Sequence, residues 1–322
     1  MRKPTILPLA LIAILAAACT SAGSSGSPAA STASSASSAA VSTAPSVAPS
    51  VAPSATPDAC AAPNLKLVVP GKLTIATDNP AYPPYFAENA DGHKTAPWEL
   101  GDPTNGQGFE SAVAYALAAK LGFTKDQVAW IYVPFNNSYK PGPKTFDFDI
   151  NEASYSAERA QAVDMTDGYY FVNQAVVAFA ANPIAKVTSI SGLAGYRLGA
   201  QVGTTSYKTI TDTIHPTKSP RVYDTNDAAI SGLKAKQIDG IVTDLPTAFY
   251  MSGAQLDKGT VVGQFTAPTG ATAEHFSLVL AKGNSLTTCL NAAIAAITAD
   301  GSLAAITKEW LSDKVSAPVF TP

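Results

Sequence analysis

FDFDINEASYSAERAQAVDMTDGYYF, Phe146–Phe171, is the stretch from which the fold and the chemistry can be read together. A short β-rich run (Phe146, Phe148, Ile150) opens into a polar turn of Asn151, Glu152, Ser154 and Ser156. A single arginine, Arg159, follows five residues after Ser154. A strand end that gives way to small hydroxyls and one guanidinium suits capture of a carboxylate. The guanidinium offers a two-pronged donor, and hydroxyls and main-chain N–H groups add to it. Two readings of Arg159 stay open on this segment alone: a ligand-facing cation, or a solvated loop arginine in a surface ion pair.

Three further stretches follow in a meaningful order. They are IATDNPAYPPYF (Ile75–Phe86), GAQVGTTSYK (Gly199–Lys208) and QIDGIVTDLPTAFY (Gln237–Tyr250), with DGSLAAITKEW (Asp300–Trp310) near the end. Together with the first segment they resemble the family 3 extracellular solute-binding proteins, the amino-acid receptors of ABC importers, over roughly residues 70–312. The resemblance implies an α/β chain with a two-lobed, periplasmic-binding-protein-like (type II) fold. Two hinge strands would join its lobes, with 65–174 and 273–322 in lobe one and 175–272 in lobe two. It also implies an amino-acid-binding lipoprotein of the actinobacterial type.

The N-terminal end sets a compartment. Arg2 and Lys3 precede an apolar run from Ile6 to Ala18, and small residues lead to Cys19. Residues 1–19 therefore read as an export signal, too short to span a bilayer as a stable helix. Leu15–Cys19 resembles a bacterial lipobox, with Cys19 as the lipidated residue, although the leucine stands one position further from the cysteine than usual. Residues 20–58 are dominated by Ser, Ala, Thr, Pro, Val and Gly and contain no aromatic residue. Such a segment lacks the apolar surface to offset its chain entropy and is expected to be a disordered, semi-extended tether.

The remaining chain has ordinary globular composition. Over the whole sequence, apolar residues make up 46%, charged residues 14%, and the net charge is −3, which argues against binding nucleic acid through a basic face. Three histidines and three cysteines are too scattered for a metal site, and no cofactor is expected. With Cys19 set aside, Cys60 and Cys289 are left as a pair in an exported chain, and a disulfide between them is expected.

Hydrophobic periodicity gives two α/β halves. In the first, strands are expected at Lys72–Ala76, Val128–Val133 and Phe146–Ile150, with a helix over Phe109–Leu121 that Gly122 closes. Gln174–Ala180 is a continuous apolar strand leaving for the second half. There, strands at Arg197–Gln201, Val222–Tyr223 and Gly240–Thr243 alternate with helices at Thr205–Ile214, Asn226–Ala235 and after Pro246. Such alternation implies parallel sheets with ligand sites at their carboxyl ends. Phe276–Ala281 returns to lobe one, followed by helices over Ser285–Thr298 and Ser302–Leu311.

Carried over residue by residue, the resemblance gives Arg159 the α-carboxylate of an amino acid, helped by Ser154 and the Thr205 N–H. It gives Asp244 the α-ammonium, helped by Ser154 or the Asn151–Glu152 carbonyls. Thr204 caps the helix behind Thr205, and Tyr82, Phe86 and Phe135 are candidate apolar walls. Asp244 and Thr204 also read as plain helix caps, and each aromatic as core. Asp239 reads as structural.

Several departures from the family pattern bear on specificity. The Asp78–Tyr82 opening is one residue longer than the usual spacing, Tyr85 replaces phenylalanine, and the Glu88–Gln107 loop is long and polar. Asn151 and Glu152 stand where small residues are common, and the direction of Glu152 matters most. Facing the cleft, it would favour a cationic or amide-bearing side chain; facing outward, it would leave specificity open.

The function expected from the sequence is capture of a polar amino acid between two lobes and its delivery to an ABC importer permease. The protein would stand on the outer face of the membrane, held by lipid on Cys19. A secreted prephenate or arogenate dehydratase-like enzyme using Glu152 as general acid, or a ligand sensor, are the alternatives.

Overall fold

A computed structural model describes residues 57–267, 270–311 and 317–322. The expected signal, Cys19 and the tether as far as residue 56 lie outside the described residues. The last two positions of the expected tether, Pro57 and Asp58, instead open a 3-10 turn, Pro57–Cys60.

In chain order the first lobe contains β1 (Leu73–Thr77), α1 (Phe109–Lys120), β2 (Val128–Tyr132), α2 (Phe135–Ser138), β3 (Phe148–Asp149), α3 (Arg159–Ala162), β4 (Val163–Met165) and β5 (Tyr170–Phe171). The chain then crosses to a second lobe of β6 (Gln174–Phe179), α4 (Ile190–Leu193), β7 (Leu198–Gln201), α5 (Thr205–Thr209), β8 (Arg221–Tyr223), α6 (Asn226–Lys234), β9 (Gly240–Asp244), α7 (Leu245–Tyr250) and β10 (Gly259–Phe265). It returns through β11 (His275–Phe276) and β12 (Val279–Ala281) to α8 (Leu286–Ala299) and α9 (Ser302–Trp310). The two-lobed α/β fold with two connecting strands is thus as the sequence led us to expect.

Each lobe holds one five-stranded sheet. Lobe one has the order β2-β1-β3-β12-β4, parallel from β2 through β3 and antiparallel at β12. Lobe two has the order β10-β6-β9-β7-β8, in which β8, β7 and β9 are parallel and β6 runs against β9. The crossings pair with each other as a short antiparallel ribbon, Tyr170 opposite Phe276 and Phe171 opposite His275.

Burial explains why these residues form these elements. QAVVAFA has no alternation because β6 is covered on both faces. Ala175 and Val177 pack with Ile230, Leu233 and Ile241, whereas Val176 and Ala178 pack with Leu198, Ile210 and Val242. In lobe one, Phe109, Val113 and Leu117 of α1 meet Leu290, Ile294 and Ile297 of α8 over Leu73 and Ile75. A disulfide joins Cys60 to Cys289 at a Cα–Cα distance of 5.4 Å, at the edge of this core.

Two domain assignments need correction. Residues 317–322 were expected in lobe one with the rest of the C-terminal segment, but they lie on lobe two. Val319 and Thr321 bridge to Gln264 and Ser189, and the Phe320 ring sits 5.0 Å from Phe265. The cause is local: Phe320 and Ala317 are apolar, and both are buried against lobe-two residues. Gln174, placed at the end of lobe one, is the first residue of the lobe-two strand β6. The sequence reading also missed β10, whose Gly263 sits at an irregular register step that obscures alternation.

Candidate functional site

Between the carboxyl ends of both sheets lies a cleft of about 610 Å³, a figure that includes the open solvent at its mouth. Lobe one contributes Asp78, Pro80 and Tyr82 after β1, Phe135 of α2, and Asn151, Glu152, Ser154 and Arg159 after β3. Lobe two contributes Gln174, Gln201, Thr204 to Ser206, Asn226, Thr243 and Asp244. This is where parallel strands leave free N–H groups and side chains that no sheet neighbour claims.

Arg159 opens α3 and is 8% exposed. Its Nη1 donates to the Ser154 carbonyl at 2.6 Å and its Nη2 to the Gly203 carbonyl, in lobe two, at 2.7 Å. The guanidinium carbon lies 4.5 Å from the Tyr139 ring centre and 5.4 Å from that of Phe135, two cation–π contacts that help to hold it in place. Burial pulls its pKa below the ordinary arginine value, with Tyr139 and Glu274 pulling the other way. The solvated ion pair considered for this residue is therefore excluded, and Arg159 clasps the two lobes at the cavity wall.

Asp244 sits on the opposite side at the end of β9. It does cap α7, accepting from the Thr247 N–H at 3.1 Å, and it also faces the cavity. The same Oδ1 accepts a 2.6 Å bond from the Tyr85 hydroxyl, which comes from lobe one. The tyrosine that replaces phenylalanine thus supplies a second inter-lobe contact. Burial raises the Asp244 pKa, and the Tyr85 and Thr247 bonds oppose that rise.

Glu152 lines the cavity and takes a left-handed backbone, φ 50°, unusual for a residue other than glycine. Its N–H donates to Glu110 Oε1 at 2.7 Å, which holds the turn. Burial lifts its carboxyl well above the usual range, and Glu110, Asp244, Asp78 and Asp149 add to the lift. Behind it, Glu110 is fully buried, accepts from the Tyr169 hydroxyl, and is pushed up to about 8, chiefly by burial. Glu110 and Asp149 were not singled out from the sequence. A lone glutamate at the start of an apolar helix gives no sign of burial until the fold places it under the Glu152 turn.

Ser154, Thr205 and Gln174 share a partner: each donates to Glu274 Oε1, at 2.6, 2.6 and 3.0 Å. Thr204 caps α5 through the Tyr207 N–H at 3.2 Å and also lines the cavity. Asn151 is 7% exposed and borders the same space. Of the expected aromatic walls, Tyr82 and Phe135 are in place, whereas Phe86 is not. It is 1% exposed and packs edge-on to Trp130 in the lobe-one core, 6.0 Å between ring centres. A turn through Phe86 N–H to Tyr82 carbonyl fixes it there, and Gly108 (φ 93°) closes against the Tyr85 and Phe86 backbone where a Cβ would collide. The Glu88–Gln107 loop contributes nothing to the cavity wall; it folds back on lobe one, with Trp98 buried and Asp102 capping a short 3-10 turn. Asp239 pairs with Arg197 at 2.9 Å and is structural. Among the described residues no group of His, Cys, Asp or Glu is arranged to hold a metal ion.

Residues 73–313 match the sequence model of the bacterial extracellular solute-binding proteins, family 3. The chain is 31% identical to ABC transporter arginine-binding protein 1 of Escherichia coli K12 over 170 residues, 52% of this chain and 67% of that protein. It is 24% identical to the L-cystine-binding protein TcyJ of the same organism over 247 residues, 76% of this chain and 85% of that one. Among solved structures, an ancestral arginine-binding protein bound to glutamine superposes with a TM-score of 0.60 at 25% identity, covering 76% of this chain and all of that one. The match spans both lobes and every cavity-lining segment, and the chain belongs to the family 3 bacterial extracellular solute-binding proteins.

Proposed function

We propose that this protein captures a polar amino acid with a cationic side chain between its lobes and delivers it to an ABC importer permease. In this reading the domain stands outside the cytoplasm on a tether lipidated at Cys19, and the lobes close over the ligand by hinge motion. It acts as a receptor and not as an enzyme.

The observation that carries the reading is the set of ionisable groups on the cavity wall, three carboxyls (Asp78, Glu152 and Asp244) against Arg159 alone. Burial raises all three carboxyl pKa values, and a cation seated beside them lowers them again. A zwitterion entering a partly dry cleft loses water at both ends and needs a fixed opposite charge at each. Arg159 meets the carboxylate and Asp244 the α-ammonium; Asp78 and Glu152 are then left to a second positive group. The arginine-binding relative supports this choice. Two charge-assisted ends with a desolvated side chain reach micromolar affinity, about −8 kcal/mol.

Calorimetry with arginine, lysine, glutamine and aspartate tests it. Arginine or lysine is expected to bind most tightly. Asp244→Asn is expected to weaken either by tenfold or more, since it removes a partly buried ionic partner worth roughly 2–5 kcal/mol. Tightest binding of aspartate, or of none of the four, would remove the proposal.

A further inference from the structure

Glu274 does not line the ligand cavity. It stands behind the wall, on the second crossing between the lobes, with its carbonyl bonded to the Val172 N–H of the first. Three residues that do line the cavity turn their donors back toward it. Ser154 Oγ from lobe one, Thr205 Oγ1 from lobe two and Gln174 Nε2 all donate to the one oxygen, Glu274 Oε1. A second, longer bond runs from Gln174 Nε2 to Thr205 Oγ1, 3.4 Å. Arg159 is near enough for its charge and that of Glu274 to be felt by one another.

A hydroxyl has one proton and two lone pairs, and an ionised carboxylate only accepts. With their single protons directed at Glu274, Ser154 and Thr205 have nothing left to offer a ligand except oxygen lone pairs. Gln174 is in the same position. Its amide nitrogen faces Glu274 and Thr205, and its Oε1 is buried with no partner among the described residues, in a side chain 4% exposed. A buried amide oxygen without a donor is costly, and the cavity it borders is where a donor would arrive.

We infer that Glu274 fixes the hydrogen-bond polarity of this wall, so that Ser154, Thr205 and Gln174 receive N–H groups of the ligand and not its carboxylate. The inference rests on the amino-acid reading above and sharpens it: the group seated against this wall is a guanidinium or ammonium, and the carboxylate relies on Arg159 without the two hydroxyls. Glu274 is in this sense a specificity-determining residue that touches no ligand.

The test is calorimetry of wild type, Glu274→Ala and Glu274→Gln with arginine and with agmatine, which is arginine without its carboxylate. Alanine frees the hydroxyl protons, and agmatine affinity is expected to fall at least tenfold. Glutamine keeps an acceptor oxygen in place while removing the charge, and is expected to restore agmatine binding to within about threefold of wild type. An unchanged agmatine affinity in Glu274→Ala overturns the inference. So does a loss in Glu274→Gln as deep as in the alanine variant, which would mean that charge alone acts. Should Glu274→Ala not fold, Thr205→Val, which removes one acceptor from the wall, must weaken agmatine at least threefold; no change again overturns it. If wild type takes agmatine but no amino acid, and the variants behave as stated, the amino-acid reading falls and this one stands. If arginine binds and the variants are flat, the reverse holds, and if wild type binds neither cation both fall.

Discussion

Glu110 is the residue whose chemistry departs furthest from its place in the sequence. It occupies the first turn of α1, where a carboxylate is favoured by the helix dipole, yet it is fully buried under the Glu152 turn. Its Oε1 takes the Tyr169 hydroxyl and the Glu152 N–H, and its Oε2 has no partner among the described residues. Burial wins over those two bonds and places its pKa at about 8 against an ordinary 4.5. The folded state therefore keeps a proton that the unfolded chain releases above pH 4.5. The stability this contributes is complete below that pH and is lost as pH rises through about 8. Glu110→Gln supplies a permanent neutral isostere. Its melting temperature is expected to stay flatter than that of wild type between pH 6 and 9, with an advantage on the order of 1–3 kcal/mol at the alkaline end. Parallel melting curves for the two proteins would show that Glu110 is ionised in the fold. The Asp149 and Glu152 carboxyls, also raised by burial, leave a residual slope in both proteins.

The turn between β7 and α5 is where sequence and structure can be compared element by element. Gly203-Thr204-Thr205 was legible as a strand end opening a helix because a flexible residue followed by a hydroxyl N-cap is a local signal. Equally legible were Arg159, which follows the polar turn after a patterned strand, and Asp244, which ends one. What could not be read was everything set by the approach of two lobes. Tyr85 bonding Asp244 across 159 residues, Glu274 gathering donors from both lobes, and Phe86 turning inward are long-range outcomes with no local periodicity. Gly203 shows the limit well. Its φ of 73° is a local need, but a Cβ there would also strike Tyr139 Oη and Asn136 Oδ1 of lobe one. Gly203→Ala is thus expected to do two things. It strains the turn, lowering stability by about 1 kcal/mol, and it holds the lobes apart, weakening ligand binding at least tenfold. Small-angle scattering with saturating ligand should show the variant more open than wild type; equal compaction and equal affinity would mean that the lobes do not meet at Gly203.

At the scale of the whole molecule, the two lobes are tied together at two levels. The Tyr170–Phe171 and His275–Phe276 ribbon is the hinge proper, and inter-lobe bonds through Arg159, Tyr85 and Glu274 close the cleft side. The C-terminal segment, lobe one up to α9, ends on lobe two at 317–322. The disulfide spans neither hinge nor cleft. Cys60 lies in the Pro57–Cys60 turn and Cys289 on α8, and both pack on the lobe-one core. Its two ends are 229 residues apart in sequence, so the covalent loop encloses lobe two except for the C-terminal residues 317–322. In the chain-entropy view such a loop restricts the unfolded state by roughly 4–5 kcal/mol, an upper figure because denatured chains keep some structure. The native geometry of the cleft gains nothing from it. Replacing both cysteines by serine is therefore expected to lower the melting temperature by several degrees while leaving ligand affinity within about threefold of wild type. Melting curves of the oxidised protein, the reduced protein and the double variant separate the contributions: the last two should agree. A matching loss of affinity would mean that Cys60 and the turn it anchors shape the cleft through α8, and the disulfide would then belong to the binding machinery rather than to the frame that holds it.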